Sequence, residues 1–112
     1  MAEEQGKAIT AVKQHIQIEV LAWLTRYVGG DGGGRMFFTE EFEAGETLQI
    51  VVRRLTRRFP DLDQVLWDVE SGQIGSSVEI IVNDAFLGLT HTLNSEVKDG
   101  DKITLLPAWE GG

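Results

Sequence analysis

The sequence contains no cysteine and only two prolines among its 112 residues. Without cysteine there is no disulfide, no thiolate metal site and no cysteine nucleophile, so a reducing compartment is permitted and any thioester or persulfide chemistry must belong to a partner. No apolar run approaches the length that spans a bilayer. Met1-Ala2-Glu3-Glu4-Gln5-Gly6-Lys7 lacks the basic start and apolar stretch of a signal peptide, so the chain reads as cytoplasmic. Positive charge is scarce too: ten Lys and Arg stand against eighteen Asp and Glu, a formal net charge of −8. This balance disfavours nucleic acid and anionic membranes as partners and would steer the protein toward a basic surface or channel on another protein.

What is present suits one soluble domain. Hydrophobic residues make up 42% of the chain and charged residues 25%, and a compact fold of this size removes roughly two-thirds of its unfolded surface from water. Residues 1–14 are mixed and polar and read as a mobile N-terminal extension. From Ile16, alternation of Ile16, Ile18, Val20 and Ala22 with Gln17, Glu19, Leu21 and Trp23 predicts a first strand over about 15–24.

Gly29-Gly30-Asp31-Gly32-Gly33-Gly34 must be a loop, since so much glycine loses too much backbone entropy inside a helix or strand. A phosphate-binding loop would need Lys followed by Ser or Thr after its last glycine, and a dinucleotide fingerprint would need a helix next. Arg35-Met36 follows instead, and Met36-Phe37-Phe38-Thr39 looks like a strand, so a flexible connection over 29–34 is the reading.

A strand over 35–43 precedes Leu48, Val51, Val52, Leu55 and Phe59, whose spacing places them on one helical face. Thr47 suits the N-cap and Pro60 follows the stop. Arg53, Arg54, Arg57 and Arg58 fall mainly on the other face, near the end where positive charge complements the helix dipole, and read as solvated. Glu40, Glu41 and Glu43 likewise read as a solvated acidic strand edge. Residues 61–70 form a short helical or irregular connection and Ser71 to Ser77 a turn-rich link. Val78-Glu79-Ile80-Ile81-Val82, a reversal at Asn83-Asp84, and Ala85-Phe86-Leu87 make a hairpin. The turn Lys98-Asp99-Gly100-Asp101 leads into Lys102-Ile103-Thr104-Leu105-Leu106, a last strand halted by Pro107. The resulting fold class is α+β: a mixed sheet packed on one main helix, its other face left for partners.

His15 and His91 have no cysteine, His-x-x-x-His spacing or carboxylate cluster beside them, so they read as surface or hairpin residues and no metal is expected. The chemistry points to the end of the chain. Pro107-Ala108-Trp109-Glu110-Gly111-Gly112 follows the last strand directly, and a tip without side chains can thread a channel too narrow for any other residue and carry its carboxylate into a buried site. Trp109 would either anchor in a partner's hydrophobic pocket or fold back on its own sheet.

Ile81-Val82-Asn83, Leu93, Val97, Lys98-Asp99-Gly100-Asp101-Lys102-Ile103 and Leu106 to Gly112 together resemble the C-terminal half of the molybdopterin synthase small subunit and its thiamine-type sulfur-carrier relatives. Leu48 to Leu55 after Ala44-Gly45-Glu46-Thr47, and Leu21 to Val28, are similar in placement. The resemblance spans about residues 16–112 in order of elements and implies the β-grasp, ubiquitin-like fold over 15–107 with an extended tail at 108–112. The early extension, the Gly29 to Gly34 run, the link from Asp61 to Ser77 and bulky Trp109 depart from a minimal member.

The resemblance further implies a carrier, not an enzyme, which binds no cofactor. An E1-like adenylating and sulfurating enzyme would use ATP to activate Gly112, giving a mixed anhydride that a sulfur nucleophile attacks to leave a thiocarboxylate. The sulfur would then pass to the large subunit of molybdopterin synthase, in molybdenum or tungsten pterin cofactor synthesis, or to another acceptor in thiazole or cysteine synthesis. Conjugation of Gly112 to proteins is the alternative use of the same activation.

Overall fold

The computed structural model describes residues 13–108. A five-stranded mixed sheet is formed by β1 (Gln14–Leu21), β2 (Arg35–Phe42), β3 (Val78–Val82), β4 (Ala85–Phe86) and β5 (Lys102–Pro107), in the spatial order β2-β1-β5-β3-β4. β1 and β5 lie side by side and parallel at its centre, Gln17 to Val20 opposite Lys102 to Leu105. The other pairs are antiparallel. Between β2 and β3 the chain crosses one face through α1 (Leu48–Thr56) and α2 (Pro60–Leu66). This is the β-grasp architecture.

Alternation decides what faces the helices. Ile16, Ile18 and Val20 of β1, Ile103 and Leu105 of β5, and Val78, Ile80 and Val82 of β3 are all buried. They meet the stripe Leu48, Val51, Val52 and Leu55 of α1 and Leu62 and Leu66 of α2. Burying each such side chain contributes on the order of 1.5–3 kcal/mol, which fixes the register of every strand that carries one. Thr47 caps α1 as its residue type suggests, its side chain accepting from Ile50 N.

Three expectations need correction. The first strand ends at Leu21, not 24: Ala22 takes a left-handed φ of 59°, and a 3-10 helix, Ala22–Val28, follows. Apolar alternation cannot distinguish the last turn of a strand from a short helix whose Leu24 and Val28 are also buried. Second, α1 stops at Thr56, so Phe59 lies beyond it; it sits at the N-cap of α2, with Pro60 at that helix's first position. Its ring still packs on Phe38, centroids 5.5 Å apart.

Third, the arginine face and the acidic edge are not independently solvated. Arg58 pairs with Glu40, whose side chain is 4% exposed because β2 turns it toward the helix layer. Arg54 donates to Glu46 at 2.5 Å and to Glu41 O at 2.9 Å, while the Arg53 guanidinium lies 4.0 Å from the centre of the Trp67 ring. Trp67 Nε1 in turn donates to Thr56 Oγ1 at 3.0 Å, and Thr56 Oγ1 donates to Asp63 Oδ1 at 2.7 Å, tying α1 to α2. Glu41 remains exposed, as expected.

The hydrogen bond from Arg54 holds the Glu46 carboxyl below its ordinary value, with the Glu43 N–H as the second cause. A carboxyl lowered by folding stabilises the protein above its unfolded pKa, and that contribution is lost as pH falls through the folded value. Glu46→Gln should therefore cost up to about 1 kcal/mol at neutral pH. The difference from the wild type should vanish in acid, as urea unfolding across a pH series would measure.

Candidate functional site

The site begins where β5 ends. Pro107 is the last residue of β5, opposite Val78, and the Ala108 N–H donates to Ser77 O at 2.8 Å. The ladder thus continues one residue past the proline, because Pro107's missing N–H costs nothing in this register while Ala108 supplies the next donor. Trp109, Glu110, Gly111 and Gly112 lie outside the described residues. Of the predicted site, the structure places Pro107 and Ala108, held in line with β5.

Parallel pairing brings a second element to this end of the sheet. The chain leaves β1 at Leu21 beside the C-terminal end of β5, so the 3-10 helix and the glycine run lie near the tail's root. This loop is organised around buried Thr25. Its hydroxyl donates to Ala22 O at 2.9 Å and accepts from Gly32 N at 3.0 Å, while Gly30 N donates to Thr25 O at 2.8 Å. Gly33 N donates to Asp31 Oδ1 at 3.0 Å. These internal acceptors take the amides a phosphate would need, a physical reason against a phosphate cradle. They give the connection its own internal set of hydrogen bonds. Gly30 is required by close approach, since a Cβ there would lie 2.7 Å from Met36 Sδ and 2.9 Å from Thr25 Cβ.

The sheet face opposite the helices leads up to the root. One row runs across all five strands as Phe37, Glu19, Thr104, Ile81 and Phe86. Phe37 and Phe86 are each nearly half exposed. Glu19, at the centre, is buried between two cations: Arg35 Nη1 lies 3.1 Å from Oε2, an ion pair without hydrogen-bond alignment, and Lys102 Nζ lies 3.5 Å from Oε1. Thr104 Oγ1 adds a long hydrogen bond of 3.4 Å. Glu19 escaped the sequence reading because strand periodicity assigns it to the polar face, and only the registers of β2 and β5 show that two cations roof it.

The residues that carry the resemblance near 98–103 act at the far end of β5. Asp101 Oδ2 accepts from Lys98 N at 2.8 Å, Asp99 Oδ1 accepts from His15 N at 2.8 Å, and Asn83 Oδ1 accepts from Lys102 N at 3.0 Å. They pin the starts of β1 and β5 to the β3–β4 reversal, where Asn83 takes a φ of 58°. Their role is to set register. His15 is partly exposed beside Glu41, whereas His91 departs from a plain surface residue: its Nδ1 is buried without a partner.

A glycine-ended tail on a β-grasp sheet is a family pattern, and the comparisons agree. The ThiS family model matches residues 18–112. The chain belongs to the ThiS family. It is 34% identical over 70 residues to the sulfur carrier protein CysO of Mycobacterium tuberculosis H37Rv, covering 62% of this chain and 75% of that protein. Among solved structures, small archaeal modifier protein 1 from Methanosarcina acetivorans superposes with a TM-score of 0.67 at 21% identity, over 91% of this chain and all of that one. A chain of the Amycolatopsis orientalis BexX/CysO complex superposes with a TM-score of 0.62 at 26% identity, over 87% of this chain and 99% of that one. Among the described residues, no helix is long and apolar enough to cross a membrane.

The hydroxyl of Thr25 ties the 3-10 helix to the glycine loop near the tail's root. Thr25→Val keeps the shape and removes the hydroxyl's contacts with Ala22 O, Gly32 N and Gly33 O. It should cost about 1–3 kcal/mol in urea unfolding, and amide exchange at Gly32 should accelerate while exchange in β1 follows only the global loss of stability.

Proposed function

We propose that the protein is a sulfur carrier whose Gly112 carboxylate is activated and converted to a thiocarboxylate by a partner enzyme. The observation that carries this reading is the extent of the family match, which runs through the glycine tail to Gly112. Membership alone could rest on the sheet; a match that includes the tip concerns the reacting group.

The chemistry follows from the carboxylate's poor leaving group. Attack of a Gly112 oxygen on the α-phosphorus of ATP releases pyrophosphate and leaves an acyl adenylate. A hydrosulfide-equivalent sulfur supplied by the partner then attacks the carbonyl carbon, AMP departs, and the sulfur remains as the thiocarboxylate. ATP and the activating machinery belong to the E1-like partner, and no cofactor resides in this chain. Pro107 and Ala108 aim the tail, Trp109 and Glu110 enter the partner's channel, and Gly111 and Gly112 pass its narrowest part. The outward sheet face near the root, with half-buried Leu21 and Leu106 between Arg35 and Glu79, would dock the partner.

The resemblance in the C-terminal half favours the large subunit of molybdopterin synthase as acceptor, in molybdenum or tungsten pterin synthesis. Likeness to the mycobacterial sulfur carrier supports cysteine synthesis as a second destination. Incubation with the activating enzyme, ATP and sulfide should exchange one oxygen of Gly112 for sulfur, seen by intact-protein mass spectrometry. Deleting Gly111 and Gly112 should abolish the exchange with the fold retained. Failure with an enzyme competent on another carrier would refute the proposal, and Gly112 found in isopeptide linkage to lysines would favour a protein modifier instead.

A further inference from the structure

β2 is an eight-residue edge strand, paired on one side only. Its register with β1 decides which backbone groups it presents outward. Ala22 N donates to Gly34 O, so the bonded pairs of this ladder continue through Met36, Phe38, Glu40 and Phe42. The N–H and C=O groups of Arg35, Phe37, Thr39 and Glu41 therefore point away from the sheet. Glu41 O accepts from Arg54 Nη1 at 2.9 Å, closing that end of the edge. At the other end Gly34, with a φ of 65°, turns the chain away. Between them Arg35, Phe37 and Thr39 have no backbone partner among the described residues.

An open edge of this length is a template for another strand. We propose that it pairs with the same edge of a second copy of this chain, antiparallel about a two-fold axis at Phe37, joining two five-stranded sheets into one. In that register Phe37 faces Phe37, and Arg35 of each copy faces Thr39 of the other. Every pair is of the hydrogen-bonded type, so all the open groups of the three residues are satisfied at once.

The side chains agree with this register. Phe37, 49% exposed, gains a cross-strand aromatic contact at the axis. Glu41, exposed on the same face, comes diagonally beside Arg35 of the second copy, placing opposite charges together at both ends. Although the chain carries −8 overall, no acidic side chain lies from Arg35 to Thr39, so repulsion between copies is least along this edge.

Sedimentation velocity of the full chain tests the proposal. The weight-average mass should rise with concentration from 12.4 kDa toward twice that value. Thr39→Pro removes an N–H the sheet does not use, and Phe37→Lys sets two ammonium groups against each other at the axis while facing Glu19 within its own sheet. Each should weaken self-association at least about tenfold, with circular dichroism and the thermal midpoint near those of the wild type. Amide exchange at Arg35, Phe37 and Thr39 should slow with concentration, while Met36 and Phe38 stay protected throughout. A chain that remains monomeric up to its solubility limit, or a dimer unaffected by both substitutions, overturns the proposal.

Discussion

The pairing that the rest of the molecule depends on is the parallel contact between its first strand and its last. Parallel neighbours cannot be joined by a tight turn, so the chain must leave the sheet and return. α1 and α2 provide that excursion and at the same time cover the apolar face of the sheet. The same contact lines up the C-terminal ends of β1 and β5, which is why a loop early in the sequence and the root of the tail at Ala108 share one edge of the molecule. Ion pairing at Glu19 reinforces the arrangement from the outer face, since Arg35 comes from β2 and Lys102 from β5 on either side of it. A carboxylate so thoroughly desolvated is tolerated only with cations on both flanks.

Much of this was legible in the residues. Strands β2, β3 and β5 and the apolar stripe of α1 announce themselves by period, and Thr47 marks its helix start by chemistry alone. What could not be read is what tertiary contact decides. Glu40 looks like its neighbours Glu41 and Glu43 in sequence, yet the pleat turns it inward, where Arg58 meets it. Trp23 and Leu24 continue an apolar pattern that a strand or a short helix would satisfy equally, and the left-handed backbone at Ala22 selects the helix. Thr25 is one threonine among several until the fold brings Gly32 and Gly33 of the glycine run to its hydroxyl. The tail was legible as a pattern, and its root is now placed by Ala108; its tip rests on sequence and family.

The motif around Asp99 and Asp101 shows why resemblance and chemistry need separating. Those residues are among the most specific in the resemblance, but their carboxylates accept backbone N–H groups and keep β1, β3 and β5 in register. A family signature can thus record the geometry that delivers a reactive group as well as the group itself. Asn83 belongs with them, because its backbone adopts the left-handed turn conformation while its side chain bonds the first residue of β5.

Among the described residues, the apolar side chains that are fully buried fall between Ile16 and Leu105, and the last backbone bond of the sheet is made by Ala108. Among those residues, the core and the register of the sheet are thus complete by Ala108. Under the proposed chemistry, the register that aims the tail is therefore set upstream of the reacting group. On the proposed chemistry the Gly112 carbonyl carbon would receive the sulfur, so a chain lacking cysteine would have only to present that atom and need not supply a nucleophile.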